Sequence, residues 1–310
     1  MTDLPIGCRV AIVRLRSLGD CVLTTPALDI LKRARPDLRL AVVVEDRFRA
    51  VFEGNPDIEK LLGPSWRPLR AWSPELCLNL HGGSASARLT ALSGSPHRAG
   101  FAHYRWQSLY NVRIPRAQRI LGEERTVHTA EHLASAMFYL GVPRVEIPRA
   151  KLFVGNEERV LEDPRRTGVL PHQYAVVHPV ASAPDKTWHA GGFLRAARFL
   201  RESLDLDPVF IAGPGEDLSA FREYRTVTGA PLAEIKSLLS GASLFLGNDS
   251  GPAHMAAAFG LPVVAIFGAS DPAIWHPWRT ASVVIQSPAG IQSVAERQVL
   301  DALERMRVHA

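Results

Sequence analysis

Short apolar runs alternate along the chain with longer segments of helical periodicity. In the first half the apolar runs are 9–15, 38–45 and 76–82, each bounded by glycine, proline or charged residues. Segments 20–36 and 129–143 carry apolar residues at helical spacing, and each ends at a proline. Apolar runs bounded in this way are typical of buried parallel strands. The first half therefore predicts a series of strands and helices.

The same alternation starts again near residue 173. Further runs predict strands over 174–180, 207–214, 243–247, 262–268 and 281–287. Helical spacing predicts helices over 191–204, 231–242, 250–260 and 293–307. Two such series predict an α/β protein with two doubly wound, Rossmann-like domains that face a cleft. The polar stretch 152–173 predicts the linker, so we assign the domains to 1–160 and 161–310.

Composition is that of a soluble globular protein, with 46% hydrophobic and 22% charged residues. No apolar run approaches the roughly 18 residues that a membrane-spanning helix needs. The first residues lack the basic-then-apolar order of a signal peptide, so we expect a cytoplasmic protein. Cys8, Cys21 and Cys77 form no C-x-x-C pair. Their odd number and spacing predict buried thiols rather than disulfides or a zinc site.

Positive charge is concentrated in the first half of the chain. Residues 1–150 hold 21 Lys and Arg against 14 Asp and Glu, whereas residues 151–310 hold 15 against 17. This excess favours an anionic partner, such as a phosphorylated substrate or the headgroups of a membrane surface. An arginine-rich surface without a partner is the alternative. We expect no nucleic-acid partner.

The stretch 247–260, "GNDSGPAHMAAAFG", follows one predicted strand and opens a helix of small residues. Asp249 or its neighbour Ser250 would cap this helix, with Gly251 in the first turn. Free backbone N–H groups and the positive end of the helix dipole make such a turn an anion site. His254 lies one turn further on, from where it can reach a phosphate. The alternative is a capping aspartate with a core histidine.

A second loop, 178–193, also follows a predicted strand. Ser182 and Lys186 could hold the same diphosphate, the lysine as a point charge. We expect Trp188 to pack at the seam between the domains, with stacking on a nucleotide base as the alternative, and His178 to be structural.

The third loop, 14–28, is the first strand-to-helix turn. Gly19 would support a tight turn, and Asp20 would stand at the start of the helix. Such an aspartate is either a helix cap or, opposite a nucleotide-diphosphate site, a general base. A G-x-G-x-x-G fingerprint is missing after the first strand, which disfavours a dinucleotide oxidoreductase.

Together these loops resemble the bacterial heptosyltransferase family, glycosyltransferase family 9. The matching segments are "RSLGDCVLTTPAL", "LNLHGGSASARLTALSGSPHRAGF", "PDKTW" and "GNDSGPAHMAAAFGLPVVAIFGASDP", in the expected order. The resemblance covers roughly residues 8 to 278. It implies a GT-B architecture with the acceptor bound by the N-terminal domain and the nucleotide-sugar by the C-terminal one.

The resemblance also implies a reaction. Family members transfer heptose from ADP-heptose to the lipopolysaccharide inner core, with inversion and without an essential metal or other cofactor. Asp20 matches the catalytic base, and Lys186 matches a diphosphate contact. We expect Lys186 also to act in catalysis, by stabilising the charge on the leaving diphosphate. The remaining donor-site residues implied are Ser182, Glu216, Asp249, Ser250, Gly251 and His254, with Glu216 near the position of a ribose-binding carboxylate. Ala181 stands where a hydroxyl residue is common in the family, so one hydrogen bond to phosphate would be missing. A different sugar nucleotide is therefore the alternative donor.

Five arginines lie close together in the segment that we assign to the acceptor: Arg98, Arg105, Arg113, Arg116 and Arg119. We expect Arg98 and Arg105, with Gly19, to bind an anionic, lipid-linked saccharide, which would bring the protein to the inner-membrane surface. Arginines on a solvated loop are the alternative. Two other functions remain open: a sugar-nucleotide epimerase or hydrolase of the same fold, and a non-catalytic binding protein.

Overall fold

The computed structural model describes residues 4–155, 172–181 and 183–307. The chain divides into two compact units, Met1–Phe153 and Val154–Ala310. Each unit contains one parallel sheet with helices. The predicted α/β class with two doubly wound domains is therefore confirmed.

The first unit carries a sheet of six strands among its described residues. The strands are β1 Arg9–Val13, β2 Arg39–Val43, β3 Lys60–Leu62, β4 Leu76–Asn79, β5 His97–Phe101 and β6 Val112–Ile114. The helices are α1 Leu18–Ala34, α2 Trp66–Trp72, α3 Ser84–Leu92, α4 Ala117–Leu121 and α5 Thr129–Tyr139. Short 3₁₀ turns cover Asp46–Val51 and Gln107–Leu109.

The second unit repeats this plan with a second six-stranded sheet. Its strands are β7 Tyr174–His178, β8 Asp207–Ala212, β9 Arg225–Thr228, β10 Leu244–Asn248, β11 Val263–Phe267 and β12 Ser282–Gln286. Its described helices are α6 Ala190–Ser203, α7 Leu232–Ser240, α8 Gly251–Phe259, α9 Pro272–Trp275 and α10 Glu296–Arg307. Short 3₁₀ turns cover Pro184–Lys186, Ser219–Phe221 and Ile291–Ser293.

Strand order places a reversal of winding at the middle of each sheet. The first sheet runs β3-β2-β1-β4-β5-β6 and the second runs β12-β11-β10-β7-β8-β9. The chain winds away from β1 or β7 in one direction and then returns to wind in the other. In open parallel sheets, ligands bind at the carboxyl ends of the strands at this reversal. The reversals lie between β1 and β4 and between β7 and β10.

Several edge elements were absent from the sequence prediction. β3 has only three residues, β6 and β9 have polar residues among their apolar ones, and β5 begins with His97 and Arg98. The helix α3 is rich in serine and alanine, so it lacks a strong apolar stripe. The strands among them form because neighbouring strands offer hydrogen bonds, a tertiary effect that a local pattern cannot show.

The central strands β1, β4 and β7 end two or three residues earlier than the apolar runs indicate. In β4 the reason is Asn79, whose side-chain Oδ1 accepts hydrogen bonds from the N–H groups of His81 (2.9 Å) and Gly82 (3.1 Å). An asparagine bonded to the backbone two residues later forms a turn. The strand therefore stops at Asn79, and the residues after it become a loop.

The cysteine prediction is confirmed, because Cys8, Cys21 and Cys77 are all buried and unbonded to one another. Burial raises the pKa of the Cys21 and Cys77 thiols to about 12.

Among the described residues, no helix is both long enough and apolar enough to cross a bilayer.

Close packing in the first unit leads to one prediction about stability. A Cβ atom at Gly100 would lie 2.5 Å from Cε2 of Tyr110, a ring that is 2% exposed. Overpacking of a core typically costs about 1–3 kcal/mol, and we expect Gly100→Ala to lower the free energy of unfolding by that amount in urea titrations.

Gly63→Ala is the matched control, because a Cβ there meets no atom within 4 Å. We expect a change of less than about 0.5 kcal/mol for this variant. Equal stability of the two variants would show that the Gly100–Tyr110 contact is not tight.

Candidate active site

Asp20 lies at the reversal of the first sheet, in the first turn of α1. The hydroxyl of Ser17, the N-cap residue, donates a 2.9 Å hydrogen bond to Asp20 Oδ2. Arg14 Nη1 lies 3.3 Å from Asp20 Oδ1, and the Asp20 side chain is 24% exposed. Two neighbours therefore fix this carboxylate while part of it still reaches solvent.

Arg14, which contacts Asp20, was not singled out by the sequence analysis. It is 4% exposed at the end of β1, and its Nη2 also donates to the carbonyl oxygen of Leu80 in the loop after β4. A buried guanidinium needs a partner for its charge, because an uncompensated buried charge is strongly destabilising. The Asp20 carboxylate supplies that partner and the Leu80 carbonyl accepts from Nη2, while Nε has no hydrogen-bond partner among the described residues. These contacts join the two loops of the reversal.

Gly19 corrects one expectation. It is a buried residue inside the first turn of α1, where Cys21 N–H donates a 2.9 Å bond to the Ser17 carbonyl oxygen. The prediction of a separate tight turn at Gly19 is therefore wrong, since the helix already begins at Leu18. Its role in acceptor binding stays a prediction.

The loop after β7 carries Lys186 in the short 3₁₀ turn Pro184–Lys186. Lys186 is half-buried, and no carboxylate pairs with it among the residues that the structure describes. This turn packs directly against Gly268. Only glycine allows this approach, because a Cβ there would lie 2.0 Å from the Asp185 carbonyl oxygen. Ser182, the other candidate of this loop, lies outside the described residues.

Asn248 holds the loop of Lys186 against the sheet, and the sequence analysis did not single it out either. This residue, the last of β10, is 0% exposed. Its Nδ2 donates to the Pro179 carbonyl (2.9 Å), and its Oδ1 accepts from Trp188 N–H (3.0 Å). A fully buried amide with partners on both sides positions the loop firmly. The only sequence signal was its place at the end of an apolar run.

Trp188 packs differently from the expectation that it lies at a domain seam. Its ring is 1% exposed in the core of the second unit, 5.1 Å from the Phe193 ring, and its Nε1–H donates to the Val294 carbonyl (3.1 Å). The expectation is wrong because Gly192 leaves space for the indole within this unit, where a Cβ would lie 2.4 Å from the ring.

The stretch 249–251 forms the start of α8, next to the loop of Lys186. Ser250 is the N-cap and Gly251 the first helical residue, while Asp249 immediately precedes them and its N–H bonds to the Ile266 carbonyl (3.0 Å). Ser250 Oγ lies 3.1 Å from His178 Nδ1. The first N–H groups of a helix lack intrahelical partners, so this turn can receive an anion.

His254 and Glu216 have positions that bear on their predicted roles. His254 is 4% exposed, and its ring centroid lies 6.3 Å from that of Trp275. Glu216 Oε2 accepts a 2.6 Å hydrogen bond from Gly213 N–H and so closes the turn after β8. Contact of His254 with a phosphate and of Glu216 with a ribose both stay predictions.

Arg98 and Arg105 differ in how the fold uses them. The Arg98 guanidinium donates to the carbonyls of Leu109 (3.3 Å) and Ser95 (3.1 Å), which favours a structural role. Arg105 is exposed, with its guanidinium carbon 5.7 Å from the centroid of Trp106. Acceptor binding by either arginine stays a prediction.

No group of three or more His, Cys, Asp or Glu side chains within the described ranges is placed to hold a metal ion.

Comparison with known proteins identifies the class of protein. The model of glycosyltransferase family 9 (heptosyltransferase) matches residues 64–305. The chain belongs to this family and is a glycosyltransferase, which confirms the resemblance seen in its loops.

Individual relatives agree with the family. The chain is 25% identical to lipopolysaccharide heptosyltransferase 3 of Escherichia coli strain K12, over 93% of this chain and 90% of that protein. Among solved structures, a glycosyl transferase family 9 protein from Veillonella parvula matches with a TM-score of 0.87 and 22% identity, covering 98% of both chains. E. coli ADP-heptose lps heptosyltransferase II matches with a TM-score of 0.81 and 19% identity, covering 97% and 99%.

His178 is buried at the end of β7, as expected of a structural histidine. Its burial leads to a prediction about the pH dependence of stability. Burial lowers the pKa of its imidazole from 6.5 to about 4. The unfolded chain therefore takes up this proton first, and stability is lost as the pH falls from 6.5 towards 4. We expect the melting temperature of His178→Gln to fall less steeply over this range than that of the parent.

His97→Gln provides the control for this pH series, because His97 is exposed. Its melting temperature should follow the parent curve. An unchanged slope in His178→Gln would contradict the assignment of His178 as a neutral, buried group.

Proposed function

We propose that this glycosyltransferase transfers heptose from ADP-heptose to a hydroxyl of a lipopolysaccharide inner-core saccharide, with inversion at the anomeric carbon. The observation that carries the proposal is the placement of Asp20 at the reversal of the first sheet, held by Arg14 and Ser17. The names of the relatives, which refer to lipopolysaccharide and to ADP-heptose, support this choice of substrates.

Asp20 acts as the general base. Its carboxylate takes the proton of the acceptor hydroxyl, and the hydroxyl oxygen then attacks the anomeric carbon from the face opposite ADP. The bond from the anomeric carbon to the diphosphate oxygen breaks with its electron pair, so ADP leaves as an anion. A base held in place before substrate binds loses little entropy in reaching the reactive geometry.

The second unit stabilises the charge that develops on the leaving diphosphate. Lys186 supplies a cation, and the N–H groups at the start of α8 supply the positive end of a helix dipole. Ser182, Asp249, Ser250, Gly251 and His254 complete this donor site, with Glu216 at the ribose. These groups provide the stabilisation that a metal ion gives in other glycosyltransferases, and we propose a metal-independent reaction on that basis.

The acceptor binds to the first unit. Segment 64–121 contains eight arginines and a single acidic residue, Glu75, so the positive excess of the first half lies here. Such a segment attracts phosphates or sugar-acid carboxylates. A lipid-linked acceptor would also bring this unit to the cytoplasmic surface of the inner membrane.

The first test replaces the base. We expect Asp20→Asn to lower the rate of transfer about 10²–10⁴-fold, the usual contribution of general base catalysis, with ADP affinity unchanged. The assay is mass spectrometry of a truncated lipopolysaccharide core incubated with ADP-heptose. Asp46→Asn is the control, because Asp46 is an exposed aspartate of the same unit.

The same assay separates the alternatives. Consumption of ADP-heptose without an acceptor would indicate a hydrolase or epimerase, and binding without turnover would indicate a binding protein. A wild-type rate in Asp20→Asn would contradict the role of the base.

A second test concerns the leaving group. Lys186→Ala should weaken ADP binding in calorimetry and also lower kcat, because the same charge contacts both the ground state and the departing diphosphate. Arg222→Ala is the control, since Arg222 is an exposed cation of the second unit. Normal ADP affinity and kcat in Lys186→Ala would exclude this lysine from the donor site.

A further inference from the structure

An aromatic and histidine cluster lies beside Asp20 in the first unit, and the mechanism above does not use it. We define it by Phe101, His103, Tyr104 and His132. The His132 ring stacks on Phe101 with centroids 4.0 Å apart, and His103 lies 5.4 Å from His132 and 4.9 Å from Tyr104. Phe101 is the last residue of β5, His103 and Tyr104 follow that strand directly, and His132 comes from α5. Two separate elements thus bring the two imidazoles together.

The cluster is linked to Asp20 by hydrogen bonds that share one acceptor, the Leu80 carbonyl oxygen. Tyr104 Oη donates a 3.3 Å hydrogen bond to the Leu80 carbonyl oxygen, the same atom that accepts from Arg14. Arg14 in turn pairs with Asp20 at 3.3 Å. The Tyr104 ring also covers Gly82, where a Cβ would lie 2.7 Å from the ring. The cluster therefore adjoins the carboxylate on the carboxyl side of the first sheet.

The two imidazoles are neutral at pH 7. Burial, together with His103 and Arg14, lowers the pKa of His132 to about 4 despite the opposing charge of Asp20. Burial and Arg116 lower the pKa of His103. A neutral imidazole presents one N–H donor and one acceptor nitrogen. That pair matches a sugar hydroxyl, which both donates and accepts, better than it matches a phosphate, which at this pH chiefly accepts.

The surfaces of the two rings are suited to contact with a ligand. Phe101 is 0% exposed and covers one face of His132, which itself remains half-buried, while His103 is exposed. Phe101 covers one face of the His132 ring, and solvent reaches the His103 ring. The nitrogen-bearing edges of the two imidazoles therefore stay available for hydrogen bonds to a ligand. Such a combination of apolar faces and precise polar edges is typical of small-molecule sites.

We propose that His103 and His132 bind an uncharged, hydroxyl-rich part of the acceptor saccharide and so position the attacking hydroxyl at Asp20. The proposal rests on the proposed function for the identity of the saccharide. It assigns these histidines a role in acceptor selection, while the arginines of segment 64–121 serve the anionic groups.

The test combines kinetics with direct detection of binding. We expect His132→Leu and His103→Leu each to raise the KM for the truncated core about tenfold, as one or two lost hydrogen bonds would, with the KM for ADP-heptose unchanged. His132→Gln keeps a donor and an acceptor and should recover part of the loss. His97→Leu is the control, because His97 stands at the opposite end of β5 from the cluster.

The second readout does not depend on turnover. In protein carrying ¹³C-labelled histidine, titration with the same core saccharide should shift the imidazole signals of His103 and His132 but not that of His97. An unchanged acceptor KM in both leucine variants, or unshifted signals in the parent protein, would overturn the inference. Shifted signals without any heptose transfer would instead support the site and contradict the proposed function.

Unchanged ADP affinity in the second unit and an unchanged far-ultraviolet circular dichroism spectrum show that a leucine variant is folded. Should His132→Leu fail this check, His132→Gln and the labelled parent protein decide the question by the same criteria.

Discussion

Reversal of winding within each parallel sheet is the constraint on which the functional arrangement depends. Since later strands pair on both sides of β1 and of β7, the loops that leave the two central strands diverge at the reversal. Asp20 follows β1, and the Leu80 carbonyl follows its neighbour β4. Lys186 follows β7, and Ser250 follows its neighbour β10. Every one of these groups owes its position to strand order.

Buried polar residues then fix the positions of the loops that follow these strands. In the first unit the buried Arg14 pairs with Asp20 and donates to the Leu80 carbonyl, and these contacts orient the Asp20 carboxylate. In the second unit Asn248 bonds to both ends of the Lys186 loop, at Pro179 and Trp188. Groups oriented by the fold need not reorganise when charge develops, which is the main electrostatic means of catalysis.

Most central strands and the long helices could be predicted, whereas the edge strands β3, β6 and β9 could not. β1, β2, β7 and β10 are buried on both faces, so their sequences are continuous apolar runs. The edge strand β9, "RTVT", is partly exposed and carries no such signal. The same distinction holds at the site, where Asp20 and Lys186 stood out because they follow strong strands. His132 did not, because on sequence it is one residue of an ordinary amphipathic helix.

By itself the sequence determined the two α/β series, the family and the loops that carry Asp20, Lys186 and the start of α8. Those features depend on local periodicity and on short motifs, and both involve residues that are close together in the sequence. Only the tertiary structure decided that Arg14 pairs with Asp20, that Trp188 belongs to the core of its own unit, and that His103 meets His132. Each of these contacts joins residues from different elements, and strand order and packing bring them together in ways that no local pattern records.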